Sequence, residues 1–426
     1  MKKKEYSRLG ESVFHEVLDN GLHVFVNRKP DFQKSYAFFA TNYGGNDTRF
    51  SIDGTWYNTP AGVAHYLEHK MFDTKEGNAL QKLAANGASP NAFTSNAITG
   101  YYFECTEKFE ENLKILLSFV SVPWFTKESV DKERGIIGQE IRMIEDNPEW
   151  CVFVNLMRAL YQNHPMRNSV AGTVESIAEI TADTLYSCHK AFYHPGNMVL
   201  CVAGDLDPET VTRIATEVLP SGVGGETEKD HGPGEPERAA QALYEQSMEV
   251  SAPLFQVGVK LEPAGNGREA LRQKLIAELA CEAWLGNSTK LYSELYEQGL
   301  LNSSFAYGYE ACPGCAFLCA GGESSDPKQV FDRLVKEARR LSREGIDEGL
   351  WRRLKKAAYG NMVRQLNSFQ SQCVAQAEGF FCGYDYLTFP EVFDTVERTD
   401  AEVLLGRFAV EDFMALSVVW PKEAEV

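Results

Sequence analysis

LQKLAANGASPNAFTSNAITGYYFEC, from Leu80 to Cys105, is echoed later in the chain by LYSELYEQGLLNSSFAYGYEACPGCAFLC, from Leu291 to Cys319. Both read as a short helix, a glycine turn and a pair of strands. A helix-like stretch follows each, FEENLKILLSFV in the first and VFDRLVKEARRLS in the second. A longer helical pattern comes next in both, SVDKERGIIGQEIRMI and GLWRRLKKAAYGNMVRQL. Gly87 then corresponds to Gly299 and Gly138 to Gly360, a spacing of about 210 to 220 residues. One long period shared by several elements is the mark of a duplicated domain.

Composition agrees with two domains. A chain of 426 residues exceeds one ordinary core, and two domains of roughly 200 residues are expected. SGVGGETEKDHGPGEPERA, from Ser221 to Ala239, is rich in Gly, Pro and charge and has the composition of a linker. The division expected is residues 1–220, a linker at 221–240, and residues 241–426. Asn20-Gly21 between apolar residues signals a hairpin, and Ser35 to Thr41 and Met198 to Val202 are strand-like apolar runs. The fold class expected is α+β: two homologous domains, each a mostly antiparallel sheet with helices packed on one face.

The hydrophobic share of 44% and charged share of 24% are those of a globular protein. No apolar run approaches the ~18 residues needed to span a bilayer, so no membrane is expected. The start, MKKKEYSRLGESVFHEV, has no apolar stretch behind its lysines; it is not read as a secretory signal, and the lysines read as a solvated tail. A net charge of −18 argues against nucleic acid, which requires basic surfaces. Ten cysteines in a chain this long suggest reduced thiols in a cytoplasm. Cys105 and Cys201, inside apolar stretches, read as small hydrophobes.

The chemistry-bearing segment is TPAGVAHYLEHKMF, Thr59 to Phe72. It reads as a helix capped by Thr59, with Pro60 in the first turn and Gly62 leaving room nearby. Val63, Leu67 and Met71 form its apolar stripe. His65 and His69, four apart, project from one face, so two imidazoles can reach one ion. Glu68 lies on the same side, where a carboxylate can take a proton from metal-bound water. A catalytic zinc needs a third protein ligand and an open position. KERGIIGQEIRM offers Glu133 and Glu140, seven residues and two helical turns apart beside the stripe of Val130, Ile137, Ile141 and Ile144. Spacing alone does not choose between these two glutamates.

HYLEH followed by that glutamate pair resembles the pitrilysin, insulinase and mitochondrial processing peptidase family, the inverzincins. The resemblance extends to SPNAFTSNAITGYYF, HPMRNSVAGTVESIAEIT and YHPGNMVLCVAGDLD. It covers the first half and, more faintly, the second, and is closest to single-chain bacterial members of about 50 kDa. It implies a processing-peptidase-like metallohydrolase fold with one Zn2+ per chain, held by His65, His69 and Glu140. It further implies that Glu68 is the general base and that Glu133 supports catalysis by orienting a ligand histidine. Asn91, Ala92, Phe93 and Thr94 would lie on a strand whose edge pairs with extended substrate.

The second half departs from the pattern. LIAELACEAWLG offers only Glu278, Cys281 and Glu282, so no catalytic metal is expected there. Where relatives present an Arg and a Tyr to substrate, LYEQGLLNSSF has Tyr296 and Asn302 or Ser303, leaving Tyr307 and Tyr309 as substitutes. Cys312-Pro-Gly-Cys315 reads as a hairpin turn rather than a redox pair, and His164-Pro and His194-Pro as loop residues. The function implied is a zinc-dependent endopeptidase that hydrolyses short or unfolded peptides, or processes a peptide precursor, through metal-activated water. The alternative is a non-proteolytic subunit or maturation factor that uses the fold as a binding clamp. The expected partners are a peptide substrate and a second chain, in a homodimer or in a heterodimer with a related chain of similar size.

Overall fold

The computed structural model describes residues 1–225 and 227–422. It contains two compact units. The first comprises Met1–Ile141, Ser169–His231 and Val363–Thr388; the second comprises Arg142–Asn168, Gly232–Met362 and Phe389–Val426.

In the first unit β1 (Lys2–Tyr6), β2 (Glu11–Val17), β3 (His23–Arg28), β4 (Ser35–Thr41), β9 (Ser89–Thr94), β10 (Thr99–Cys105) and β11 (Met198–Gly204) form one sheet. Its order is β1-β2-β3-β11-β4-β10-β9. β5 (Arg49–Ile52), β6 (Thr55–Asn58) and β12 (Thr227–Lys229) make a small second sheet, and β7 (Asp73–Thr74) pairs with β8 (Gly77–Asn78). The helices are α1 (Val63–Met71), α2 (Ala79–Ala85), α3 (Phe109–Ser121), most of α4 (Lys127–Glu145), α6 (Val174–Ala178), α7 (Ala182–Phe192), α8 (Pro208–Val218) and α13 (Phe369–Phe381). The second unit has β13 (Leu243–Met248), β14 (Leu254–Leu261), β15 (Ala306–Cys312), β16 (Cys315–Glu323) and β17 (Met414–Pro421), in the order β13-β17-β14-β16-β15. Its helices are α5 (Pro148–Leu160), α9 (Arg268–Leu285), α10 (Lys290–Glu297), α11 (Pro327–Glu344), most of α12 (Glu348–Gln365), α14 (Phe389–Phe393) and α15 (Arg398–Phe408).

The two sheets share one plan. Read from β3 the first runs β3-β11-β4-β10-β9, which matches β13-β17-β14-β16-β15 strand for strand. In each, the first pair is parallel and the rest antiparallel. The corresponding glycines also agree. Gly87 and Gly299 have φ of 79° and 68°, and each follows the helix that precedes the edge strand. Gly87 N–H bonds Ala84 O while Ala88 N–H bonds Leu83 O; Gly299 N–H bonds Tyr296 O while Leu300 N–H bonds Leu295 O. The same two-bond helix stop is thus built twice, at a left-handed position where glycine carries no Cβ penalty.

Two helices cross the expected division. Every residue of β4 and of β11 is buried, so that sheet must be covered on both faces. Tyr36, Phe38 and Ala40, with Val199, Cys201 and Ala203, pack on Phe369, Cys373 and Ala377 of α13, a helix from the second half of the sequence. The alternate residues face the other way, where the Thr41 hydroxyl donates to Phe192 O of α7 at 2.6 Å. Helices therefore lie on both faces of this sheet, where the sequence had suggested one. Conversely α5, from the first half, places Leu156, Met157 and Leu160 against Phe317 and Ala415 of the second sheet. Two buried side chains of α13 bond to Asn27: Gln372 Nε2 donates to Asn27 Oδ1 at 3.1 Å, and Asn27 Nδ2 donates to Gln376 Oε1 at 2.8 Å.

The segment with the composition of a linker makes strand and side-chain contacts. β12 pairs with β5, and buried Asp47 holds Lys229 and His231, each at 3.0 Å. In the second unit Glu235 accepts from the backbone N–H groups of Gln162, Asn163 and His164 at 2.7 to 2.8 Å, and from Lys260 Nζ at 2.6 Å. Gly and Pro predict chain reversal here, but the charged residues between them found buried partners. The N-terminal lysines likewise form strand β1 against β2 rather than a tail. No helix among the described residues is long and apolar enough to cross a membrane.

Candidate metal centre

Helix α1 begins at Val63, later than the sequence suggests, and its N-cap is Gly62 at φ 93°. A Cβ at Gly62 would lie 2.5 Å from Ala171 O, so glycine is required there by both conformation and close approach. Thr59, expected as the cap, instead donates its hydroxyl to Thr48 O at 2.9 Å. Val63, Leu67 and Met71 are buried, as are Ala64 and Tyr66. The Tyr66 hydroxyl donates to Val130 O, and Lys70 Nζ donates to Asp73 at 2.6 Å and Ser129 O at 3.4 Å. These tethers fasten α1 to the start of α4. Val130, Ile137 and Ile141 of α4 are buried, while Ile144 is only half-buried.

That docking brings the two motifs together. One atom each of His65, His69 and Glu140 lies within 4.8 Å of the others, the one such cluster among the described residues. Glu140 Oε1 is 3.6 Å from His65 Nε2, and its Oε2 is 3.4 Å from His69 Nε2. Ligands at 2.0 to 2.2 Å around a tetrahedral ion are about 3.4 Å apart, so both separations suit zinc. The donor set, two imidazoles and a carboxylate, suits it as well. Glu133 takes a different place, with Oε1 3.2 Å from His69 Nδ1, the nitrogen that faces away from Glu140. His65 Nδ1 is buried without a hydrogen bond.

Charge accumulates around the two rings. Burial works to lower the His69 pKa, but the hydrogen bond to Glu133 and the charges of Glu68, Glu140 and Glu133 outweigh it and raise the value. The His65 imidazole beside Glu140 holds that carboxyl below its usual range; burial opposes this, and the charges of both histidines reinforce it. Three carboxylates facing two imidazoles make a site that favours a cation.

Glu68 is 7% exposed, and its Oε2 accepts from the Thr94 hydroxyl at 2.7 Å. Thr94 ends β9, the outermost strand of its sheet. Asn91, Ala92, Phe93 and Thr94 pair on one side with Tyr102, Tyr101, Gly100 and Thr99 of β10. On the other side no strand among the described residues joins β9. The Ala92 N–H is held by Asn91 Oδ1 at 2.9 Å. The sequence had given Thr94 only an edge-strand role. Its bond to Glu68 joins residues far apart in the chain, and no local pattern signals it. Tyr66 and Lys70 as tethers were missed also; a tyrosine and a lysine within an apolar helix were the available hint.

In the second unit Glu278, Cys281 and Glu282 lie on α9. Tyr296 is exposed, Asn302 bonds Glu323 at 2.8 Å, and Tyr307 and Tyr309 lie on edge strand β15. His164 and His194 each precede a short 3-10 turn, in keeping with loop roles.

A repeated sheet-and-helix plan with an H-x-x-E-H helix docked on a glutamate helix defines a class, and the chain belongs to the M16 peptidase family. Residues 53–174 match the model of Insulinase (Peptidase family M16), and residues 179–358 that of the Peptidase M16 inactive domain. The chain is 38% identical over 433 residues to the uncharacterized zinc protease YmfH of Bacillus subtilis, covering 99% of this chain and 100% of that protein. A crystal structure of an M16-like peptidase from Alicyclobacillus acidocaldarius superposes with a TM-score of 0.92 at 31% identity, covering 97% of this chain and 99% of that one. A protease from Helicobacter pylori shares the fold, with a TM-score of 0.79 at 18% identity over 96% and 99% of the two chains.

Proposed function

We propose that this chain is a zinc-dependent endopeptidase acting on short or unfolded peptides, or on a peptide precursor, with one zinc per chain. The observation that carries this reading is the convergence of His65 Nε2, His69 Nε2 and the Glu140 carboxylate beside Glu68. His65, His69 and Glu140 would hold the ion, with Glu133 fixing the His69 ring. Zinc bound there would polarise the scissile carbonyl and acidify water. Glu68 takes the proton of the attacking water and delivers it to the leaving amine. Thr94 donates to Oε2 of that carboxylate at 2.7 Å and keeps it oriented. The free edge of β9 offers backbone groups to an extended peptide, so recognition rests on main chain first and side chains second.

Glu68→Gln should keep stoichiometric zinc while losing hydrolysis of a quenched peptide library by roughly 10²- to 10⁴-fold. Metal loss in that variant would make Glu68 a ligand and sink the assignment. The second reading, a non-proteolytic binding clamp, draws on the inactive-domain match over residues 179–358. Zinc-replete protein that captures peptides but cleaves none would favour it.

The active assembly we propose is a dimer, with a second copy or with a related chain of similar size. What supports this is the segment Leu295 to Phe305, which lacks the arginine its relatives present to substrate. Light scattering at micromolar concentration, with specific activity followed on dilution, tests it; a monomer of constant activity refutes it. Ten cysteines, most of them buried, support a reducing, cytoplasmic setting, and fractionation of the producing cell would check that.

A further inference from the structure

At the turn between β15 and β16, Cys312 and Cys315 stand directly opposite each other in the antiparallel register. Their sulfurs are 2.7 Å apart. Residues opposite one another in such a pair have Cα atoms roughly 4.5 to 5.5 Å apart, inside the span that a disulfide bridges. Pro313 and Gly314 make the turn, Gly314 at φ 82°. Proline followed by a left-handed glycine is the pairing that closes a tight turn of this kind.

The tip is also held from outside. His164 Nδ1 accepts from Met166 N–H at 3.1 Å, which leaves the ring proton on Nε2, and Nε2 donates to Pro313 O at 3.0 Å. The Tyr161 hydroxyl donates to Ala316 O at 3.0 Å. The two thiols are thus fixed face to face before any reaction. They differ in access, Cys312 being half-buried and Cys315 1% exposed. Elsewhere burial pushes the Cys188 and Cys319 thiols up to about 12 and those of Cys201 and Cys281 well above their ordinary value, which makes them poor nucleophiles.

We propose that Cys312 and Cys315 form a reversible redox pair, oxidised by a small-molecule disulfide, with Cys312 the attacking thiol and Cys315 the resolving one. The Cys312 thiolate attacks one sulfur of the disulfide, whose S–S bond breaks and releases one thiolate that takes up a proton. The Cys315 thiolate then attacks Cys312 Sγ in the mixed disulfide and expels the second thiol. The chain loses two hydrogens, and one disulfide becomes two thiols. The second step is internal, so the burial of Cys315 does not obstruct it. The product staples the base of the turn and fixes edge strand β15 to β16.

The test uses the full chain, reduced and then incubated with oxidised glutathione, followed by intact mass and peptide mapping. The wild type should lose two hydrogens at the 312–315 peptide, with full reversal by dithiothreitol. Cys315→Ser should instead trap one glutathione on Cys312, and Cys312→Ser should leave Cys315 unmodified. A wild type that keeps a stable glutathione adduct on Cys312, or shows no change at this peptide, overturns the proposal. Modification of Cys315 in Cys312→Ser at the wild-type rate overturns the assigned order. The wild-type mapping stands even if a variant fails to fold.

Discussion

Helix α1 and helix α9 occupy equivalent places in the two units, each beside the edge strand of its sheet, yet they carry opposite chemistry. On α1 two imidazoles face Glu133 and Glu140 of α4, and Glu68 accepts from Thr94. On α9 the comparable stretch presents Glu278, Cys281 and Glu282. The Gly138–Gly360 correspondence sets Lys355 and Met362 where α4 has Glu133 and Glu140. Glu278 is pushed to a raised pKa, chiefly by burial and further by Glu282, with Lys274 opposing. The same frame therefore gathers imidazoles and a carboxylate at the candidate metal centre in one unit, while in the other burial disfavours the charged form of Glu278. Backbone plan determines where a site can be, and a handful of side chains determine whether it is one.

That contrast can be broken at several points. Removing Glu140 should have the largest effect, because it faces both Nε2 atoms: Glu140→Ala should lose most of the zinc. Glu133→Ala should weaken binding by only roughly 10- to 100-fold, as expected for a group that acts on the ring rather than the ion. Metal titration followed by mass spectrometry measures both, and equal retention would void the distinction.

Charge in the second unit is structural instead. Lys260 and Glu235 are nearly enclosed, their side chains 4% and 12% exposed. Glu235→Ala leaves an uncompensated buried ammonium and should cost about 3–5 kcal/mol of unfolding free energy. Burial alone would raise the Glu235 pKa, but Lys260 and three backbone N–H groups lower it overall. The stabilisation is therefore complete above the unfolded carboxyl value, and it is lost as pH falls through the lower folded value. Urea unfolding of wild type and variant at neutral and acid pH should show the gap close on acidification. A gap that widens in acid would refute the pairing.

Thr94→Val deletes one hydrogen bond to a carboxylate, so kcat should fall about 10- to 100-fold. Zinc content should be unchanged, and Thr94→Ser should restore the rate. Zinc loss in Thr94→Val would mean that the threonine supports the metal helix rather than the base. The smallest effect is expected from rebuilding the silent helix. Glu278→His combined with Glu282→His should bind no second zinc, since neither Lys355 nor Met362 can complete the donor set. A second equivalent of zinc in that variant would show that the histidine pair alone suffices in this frame.

The sequence by itself determined the repeat, the helix stops at Gly87 and Gly299, and the grouping of His65, Glu68 and His69. Each depends on local geometry: a helical period sets which side chains share a face, and a left-handed residue selects glycine. It left Glu133 and Glu140 equivalent, because two helical turns return both to one face. Only the docking of α4 on α1 through Tyr66 and Lys70 gives them different partners, Glu133 the Nδ1 of one ring and Glu140 the Nε2 of both. The exchange of α5 and α13 was equally hidden. An apolar helix face states that it must be buried, but carries no label for the sheet that will bury it. That choice was made by shape and by the buried Asn27, Gln372 and Gln376 contacts, which exist only once distant segments of the chain have met.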